Sequence, residues 1–251
     1  MSAPQEGLAI AFSAVALGLF LSALDTQLYR ILEGYLLWPS RLQARGVRNQ
    51  QDLRREIQET AEESPLGWRQ ALAYERIQRF PIDEAQVAPT RFGNAIRALE
   101  TYAIDRFNLD SQRLWTEIYS VVPDHLRSEY EQSRANVDFF VGLIYLSAAF
   151  GLLSLGVAVW ASATMPAIVG AVMLLSLPIL YRLATVSSTC WDETVRAIVN
   201  VGRAGLASSL ALELPPTLVK EREMWGLVNA FLFYPHDPEW ADGLDEFRVQ
   251  P

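Results

Sequence analysis

The sequence has almost none of the residues that build disulfide frameworks or transition-metal sites. Among its 251 residues, Cys190 is the only cysteine, and His125 and His236 are the only histidines. A lone cysteine excludes an internal disulfide, and so few thiol and imidazole groups argue against a zinc site. We therefore predict no metal site and no cofactor.

Basic residues and enzyme motifs are also scarce. The chain has 21 Lys and Arg against 29 Asp and Glu, for a net charge of −8, whereas a nucleic-acid-binding domain usually presents a basic face. It contains no Walker A sequence, no G-x-S-x-G, no H-E-x-x-H and no G-x-G-x-x-G. These absences predict no nucleic-acid partner and no catalytic residues, and they favour a protein that is not an enzyme.

Long uncharged apolar stretches are what the sequence does contain. Phe139–Ala161 and Ala167–Tyr181 have no charged residue, and only the short turn 162–166 separates them. Because a membrane-crossing helix needs about 20 apolar residues, they predict an antiparallel transmembrane hairpin over 139–181. Leu8–Leu24 is a third uncharged stretch. A cleaved signal peptide is the alternative there, but no Lys or Arg precedes the stretch, and we favour an uncleaved first span.

Arginines next to these stretches predict the orientation of the chain. Arg30, Arg41, Arg45 and Arg48 follow the first stretch, and Arg182 comes directly after the hairpin. The cytoplasmic flanks of membrane helices carry the excess of Lys and Arg, so both flanks are predicted to be cytoplasmic. Three spans then leave the N-terminus outside and the C-terminus in the cytoplasm.

The remaining sequence has helical spacing of its apolar residues. We therefore predict an all-α polytopic membrane protein with three transmembrane helices and a cytoplasmic helical domain. Both helices of the hairpin should continue into this domain as rods, Pro123–Ala161 and Pro166–Leu212. The predicted division is a first transmembrane helix with an interfacial extension (1–38), a cytoplasmic helical region (39–138), the hairpin (139–181), cytoplasmic helices packed on the first region (182–234) and an acidic tail (235–251).

A dense group of polar residues follows Pro89, and we refer to it as the polar cluster. One interpretation is a site for a phosphate-bearing ligand, because the planar arginine fork can donate two hydrogen bonds to one oxyanion. The other is an internal network that holds helices together, and we favour it because three carboxylates nearly neutralise three arginines. The cluster consists of Arg91, Asn94, Arg97, Glu100, Tyr102, Asp105, Arg106 and Asp110.

The same region resembles a family of uncharacterised bacterial membrane proteins. Their pattern reads here as Pro89-Thr90-Arg91-Phe92-Gly93-Asn94, followed by Arg97, Glu100, Tyr102, Arg106, Asp110 and Leu114-Trp115. Further similarity at 30–35, at Tyr181-Arg182 and at 214–225 extends the resemblance over most of the chain. It implies a bacterial inner-membrane location and a shared topology with a cytoplasmic helical domain, and it brings no known activity.

Three functions are compatible with these features. We favour a non-enzymatic, membrane-anchored protein for interaction, sensing or scaffolding, whose partners are the lipid bilayer, a second copy in a homo-oligomer, or a cytoplasmic protein. The first alternative is a membrane-disrupting defence or toxin effector, which the small residues along the spans, such as Gly151 and Ala171, would allow to assemble. The second is an enzyme or receptor for a phosphate-bearing ligand at Arg91, Arg97 and Arg106.

Overall fold

A computed structural model of the chain describes residues 12, 17–19, 21, 23–234 and 238–249. These residues are organised as helices, and no strand lies among them, so the predicted all-α class is confirmed. The elements are α1 (Asp25–Glu33), α2 (Ser40–Glu63), α3 (Gly67–Ile77), a 3₁₀ turn (Glu84–Gln86), α4 (Arg91–Phe107), α5 (Trp115–Val121), α6 (Asp124–Ala161), α7 (Thr164–Ser209), α8 (Leu218–Phe233) and α9 (Pro238–Asp245).

The long helices α6 and α7 form an antiparallel hairpin, with Ser162 at the turn. Within the described residues, these two helices are long and apolar enough to cross a membrane. Their apolar ends are largely uncovered: the exposed fraction is 83% for Val159, 87% for Trp160 and 75% for Leu175. A helix that exposes so much apolar surface needs an apolar environment around it, which indicates association with a membrane.

Small residues let the two long helices pack closely on each other. A methyl group added to Gly170 would lie 2.8 Å from the carbonyl oxygen of Gly151, and one added to Gly151 would lie 2.9 Å from the side chain of Leu174. Close backbone contact of this kind stabilises helix pairs in lipid, where packing drives association. At least some of the small residues along the spans therefore serve helix packing within one chain.

The predicted rods agree with α6 and α7 to within a few residues, because proline and uncharged runs mark their ends. Beyond the apolar ends, two buried clusters surround the hairpin. The near core lies next to the apolar stretch and joins α1, α4, α6 and α7 around Phe92 and Val137. The far core lies at the other end and joins α4, α5, α7 and α8 around Ile118 and Trp225.

The α2–α3 pair is a helical hairpin with a small core of its own. Ile57 and Ala61 of α2 pack there against Ala73 of α3 and Phe80. The N-terminal half of α2 also passes close to Pro89, because a methyl group on Gly46 would lie 2.8 Å from the carbonyl oxygen of Pro89. This pair covers the start of α4 from outside the near core.

The first predicted span, Leu8–Leu24, lies mostly outside the described residues, although residues 17–19, 21 and 23 are helical. The extension predicted to reach residue 38 ends earlier, at Glu33, because Gly34 adopts a left-handed conformation with φ 90°. Its apolar face is covered by protein, since Leu28 and Tyr29 are buried in the near core. An interfacial helix would keep that face toward lipid.

The segment predicted as an acidic tail contains a structured part. It forms α9, and Phe247 is buried in the far core. The Glu213 N–H donates to the Phe247 carbonyl at 2.7 Å, and the Val249 N–H donates to the Ala211 carbonyl at 3.2 Å. The described end of the chain is therefore part of the helical domain.

Candidate functional site

The segment Pro89–Asn94 lies where α1, α2 and α4 meet. Pro89 fills the space beside Gly34 and Gly46, since a methyl group on either glycine would lie within about 3 Å of Pro89. Thr90 begins α4: its Oγ1 accepts from the Gly93 N–H at 2.9 Å and donates to the Leu32 carbonyl at 2.8 Å. One hydroxyl therefore caps α4 and ties it to the end of α1.

Asn94 uses its whole side-chain amide in hydrogen bonds. It is 1% exposed. Its Oδ1 accepts from the Ala88 N–H at 2.7 Å, and its Nδ2 lies 3.1 Å from the Ala88 carbonyl, 2.9 Å from the Thr90 carbonyl and 3.3 Å from Oε1 of Gln50. A side chain this completely satisfied has no group left for a ligand. The structure gives Asn94 the role of holding the turn before α4 against α2.

Phe92 connects the same segment to the hairpin. Its ring is fully buried in the near core, 5.6 Å from the ring of Tyr29. Its backbone N–H, one of the unpaired donors at the start of α4, donates to the hydroxyl of Tyr181 on α7 at 3.1 Å. Contact between the polar-cluster segment and the rods is therefore direct.

The eight residues of the polar cluster occupy several separate surroundings. Arg97 pairs with Glu100 at 3.1 Å and donates to the hydroxyl of Tyr35 at 3.3 Å. Tyr102 donates to Oδ1 of Asn200 on α7 at 3.0 Å. Arg97 therefore connects α4 to the segment after α1, and Tyr102 connects α4 to α7.

The end of the cluster is tied to α8. The guanidinium of Arg222 donates to the backbone carbonyls of Asp105 and Arg106, each at 2.8 Å. Asp110 pairs with Arg113 at 3.2 Å and accepts from the Arg113 N–H at 3.2 Å, which caps the turn before α5. Arg91 lines one cavity, Arg106 lines another, and Arg97 pairs with Glu100, so these three arginines do not converge on one anion site.

Arg91 lies in a cavity that the spacing of the cluster did not reveal. The cavity has a volume of about 790 Å³ and is lined by Arg91, Arg76, Arg79 and Arg182. These arginines come from α3, from the loop after it, from the start of α4 and from α7. No sequence window contains them together, and the only signal available was the position of Arg182 at the end of the apolar stretch.

A second cavity, of about 470 Å³, lies between α1, α4, α5, α6 and α7. Glu33 of α1 and Glu100 of α4 line it. The pKa of Glu33 is raised to about 7, chiefly by burial and then by the neighbouring Glu100, while Arg97 and Arg30 act in the opposite direction. Burial also raises the pKa of Glu100. Four aromatic residues also line the cavity: Tyr29, Trp115, Tyr130 and Trp191.

We expect the stability of the protein to fall as the pH rises, and we expect Glu33 to cause part of the fall. Its carboxyl has a pKa of about 7 in the folded chain and 4.5 as the ordinary value. Between these values the folded chain holds more protons than the unfolded chain, so the free energy of unfolding decreases with pH. Glu33→Gln should remove the contribution of Glu33 to this decrease. The variant should therefore be about 2 kcal/mol more stable than the wild type near pH 8.

The measurement is the midpoint of thermal unfolding in neutral detergent between about pH 5 and pH 8. Glu63→Gln, at an exposed position of α2, makes the same charge change and should keep the wild-type pH profile. A residual slope remains in Glu33→Gln because burial raises the pKa of Glu100 as well. Parallel profiles for the wild type and Glu33→Gln would show that the Glu33 carboxylate is not destabilising.

Among the residues that the structure describes, no group of three or more His, Cys, Asp and Glu side chains is placed to hold a metal ion. Comparisons of the chain with models of known protein families, with curated proteins and with solved structures found no match.

Proposed function

We propose that the chain is a non-enzymatic bacterial inner-membrane protein whose helical domain serves as an interaction and sensing module on the cytoplasmic side. Three spans, 8–24, 139–161 and 166–181, would hold it in the bilayer. The uncovered apolar ends of α6 and α7 support the hairpin, and the uncharged sequence of 8–24 supports the remaining span. The arginines that flank these stretches support the orientation.

The joint between the helical domain and the hairpin is the observation that carries this proposal. Tyr181 caps α4 through the Phe92 N–H at 3.1 Å. Tyr145 of α6 donates to the Leu28 carbonyl of α1 at 2.7 Å, and Tyr29 donates to Asp138 of α6. A domain that is only tethered to a membrane needs no such contacts.

The joint gives the proposed module a physical basis for sensing. The near core contains residues of α1 and α4 together with residues of the hairpin, so a change in the packing of one pair alters the surroundings of the other. Packed elements of this kind move between discrete arrangements rather than bending continuously. A partner or ligand bound to the domain could therefore change the spans, and a change in the bilayer could change the domain.

The topology can be tested with single cysteines placed on the two predicted sides. Cys190 is exposed and is first replaced by serine. We then expect Ser162→Cys, at the hairpin turn, to react with a membrane-impermeant maleimide in right-side-out vesicles. Asn49→Cys, at an exposed position of α2, should react only after the vesicles are opened. Reaction of Asn49→Cys in sealed vesicles would contradict the proposed orientation.

A further inference from the structure

The arginine cavity lies where the helical domain meets the apolar part of the hairpin. It opens between the α2–α3 pair, the start of α4 and the middle of α7. Its volume of about 790 Å³ is within the range of small-molecule sites. None of its lining residues is Asp or Glu, so the four guanidinium groups face a space without a carboxylate in its wall.

Charge in this cavity is poorly compensated. Among the described residues, only Arg79 of the four arginines pairs with a carboxylate, Glu75 at 3.1 Å. The Nε of the same Arg79 is buried and has no hydrogen-bond partner within that part of the chain. Arg91 is also the first residue of α4, and the N-terminus of a helix carries partial positive charge. An anion in the cavity would relieve this repulsion.

Most of the remaining cavity wall is apolar, and part of it belongs to the hairpin. Ile144 comes from α6, and Leu177 and Pro178 come from α7, one turn before Tyr181 and Arg182. Along α7 the wall therefore changes from apolar to aromatic to basic within six residues, 177–182. Chains that run from Arg182 along Leu177 and Pro178 would continue toward the hairpin turn, onto the exposed face of the hairpin at Leu175.

We infer that this cavity binds the headgroup phosphate of an anionic phospholipid, with the acyl chains lying against Leu177 and Pro178. Arginine is suited to the phosphate because its planar fork donates two hydrogen bonds. Basic pockets beside membrane helices on the cytoplasmic side are where anionic headgroups bind. A free phosphate would fill only the basic part of the wall and leave the apolar part uncovered. The inference rests on the proposed insertion of the hairpin in a membrane.

The test uses calorimetry to measure the binding of three probes to the purified full-length protein in a neutral detergent. The probes are dioctanoyl phosphatidylglycerol, dioctanoyl phosphatidylcholine and inorganic phosphate. We expect the wild type to bind the phosphatidylglycerol, and we expect Arg91→Gln/Arg182→Gln to weaken this binding by roughly 100-fold, since two charge-assisted contacts are lost. Arg76→Gln, a single change on α3, should weaken it by about tenfold.

A matched control separates the cavity from general surface charge. Arg41→Gln/Arg45→Gln removes two exposed arginines of α2 that do not line the cavity, and it should bind phosphatidylglycerol as the wild type does. Equal losses in both double variants would overturn the site, as would unchanged binding in Arg91→Gln/Arg182→Gln. Equal affinity for inorganic phosphate would overturn the lipid as its ligand, and equal affinity for phosphatidylcholine would overturn recognition of its charge.

The binding result is independent of the topology result. Loss of the lipid site leaves the maleimide pattern of Ser162→Cys and Asn49→Cys unchanged. A reversed orientation changes that pattern and leaves lipid binding by the purified protein in detergent unchanged. Failure of this inference and failure of the proposed function are thus distinguishable.

Discussion

Replacing Asn94 by aspartate is expected to lower the free energy of unfolding by about 3–5 kcal/mol. The side chain is 1% exposed, and its Nδ2 faces the carbonyl oxygens of Ala88 and Thr90 at 3.1 and 2.9 Å. A carboxylate of nearly the same shape has no hydrogen to donate to them. The variant would leave the Ala88 carbonyl without its side-chain donor and the Thr90 carbonyl with only the Asn94 backbone N–H at 3.0 Å. It would also place a charge against both oxygens, so both effects destabilise the folded chain.

The matched control for this change is Asn49→Asp, because Asn49 is exposed on α2. It makes the same change in net charge and should stay within about 0.5 kcal/mol of the wild type. Thermal unfolding in neutral detergent, followed by near-ultraviolet circular dichroism, should give a midpoint roughly 10 °C lower for Asn94→Asp. A midpoint equal to that of Asn49→Asp would mean that Asn94 does not hold the joint.

The result also separates the two interpretations of the polar cluster. A ligand-binding asparagine can be changed with loss of binding and little loss of stability. A change at a structural asparagine lowers the stability of the protein instead, because its partners are buried backbone groups that water does not reach. The geometry of Asn94 supports the structural role, whereas Arg91 faces the arginine cavity. The cluster therefore contains residues with different roles, although they follow one another on one helix.

The sequence predicts the long helices well, since their physical requirements are local. An uncharged apolar run needs apolar surroundings, where a helix satisfies its backbone hydrogen bonds internally. Pro123 marks the start of α6. Thr90 caps α4, and this too is a local feature, because threonine is among the residues preferred at the start of a helix. Features of this kind depend on residues within one or two turns of each other.

The site is harder to predict because its contacts join distant parts of the chain. The bond from Phe92 to Tyr181 spans 89 residues. Helical spacing shows that Arg97 and Glu100 share a turn, but it does not show that Glu33 faces the same cavity as Glu100. The burial of Phe247 escaped prediction for the same reason, since an acidic and proline-containing sequence gives no sign of the core it joins.

Replacing Gly93 by alanine is expected to destabilise the protein by about 3 kcal/mol, the reverse of the usual effect in a helix. Alanine normally gains up to ~1 kcal/mol over glycine inside a helix, because the unfolded chain is less flexible. At Gly93 the added methyl group would lie 2.7 Å from the Glu33 carbonyl oxygen and 2.9 Å from the Cβ of Ala88. Neither atom is the end of a flexible side chain, so α1 must move away from α4.

Gly142→Ala is the control, because a methyl group at this helical position of α6 would meet no atom within 4 Å. Its midpoint of thermal unfolding should be equal to that of the wild type or slightly higher, while the midpoint of Gly93→Ala falls. Separation of α1 from α4 should also admit water to Glu33, whose pKa of about 7 depends on burial. Gly93→Ala should therefore lose part of the pH dependence that Glu33→Gln removes. A stable Gly93→Ala variant with the wild-type pH profile would show that this contact does not hold the joint together.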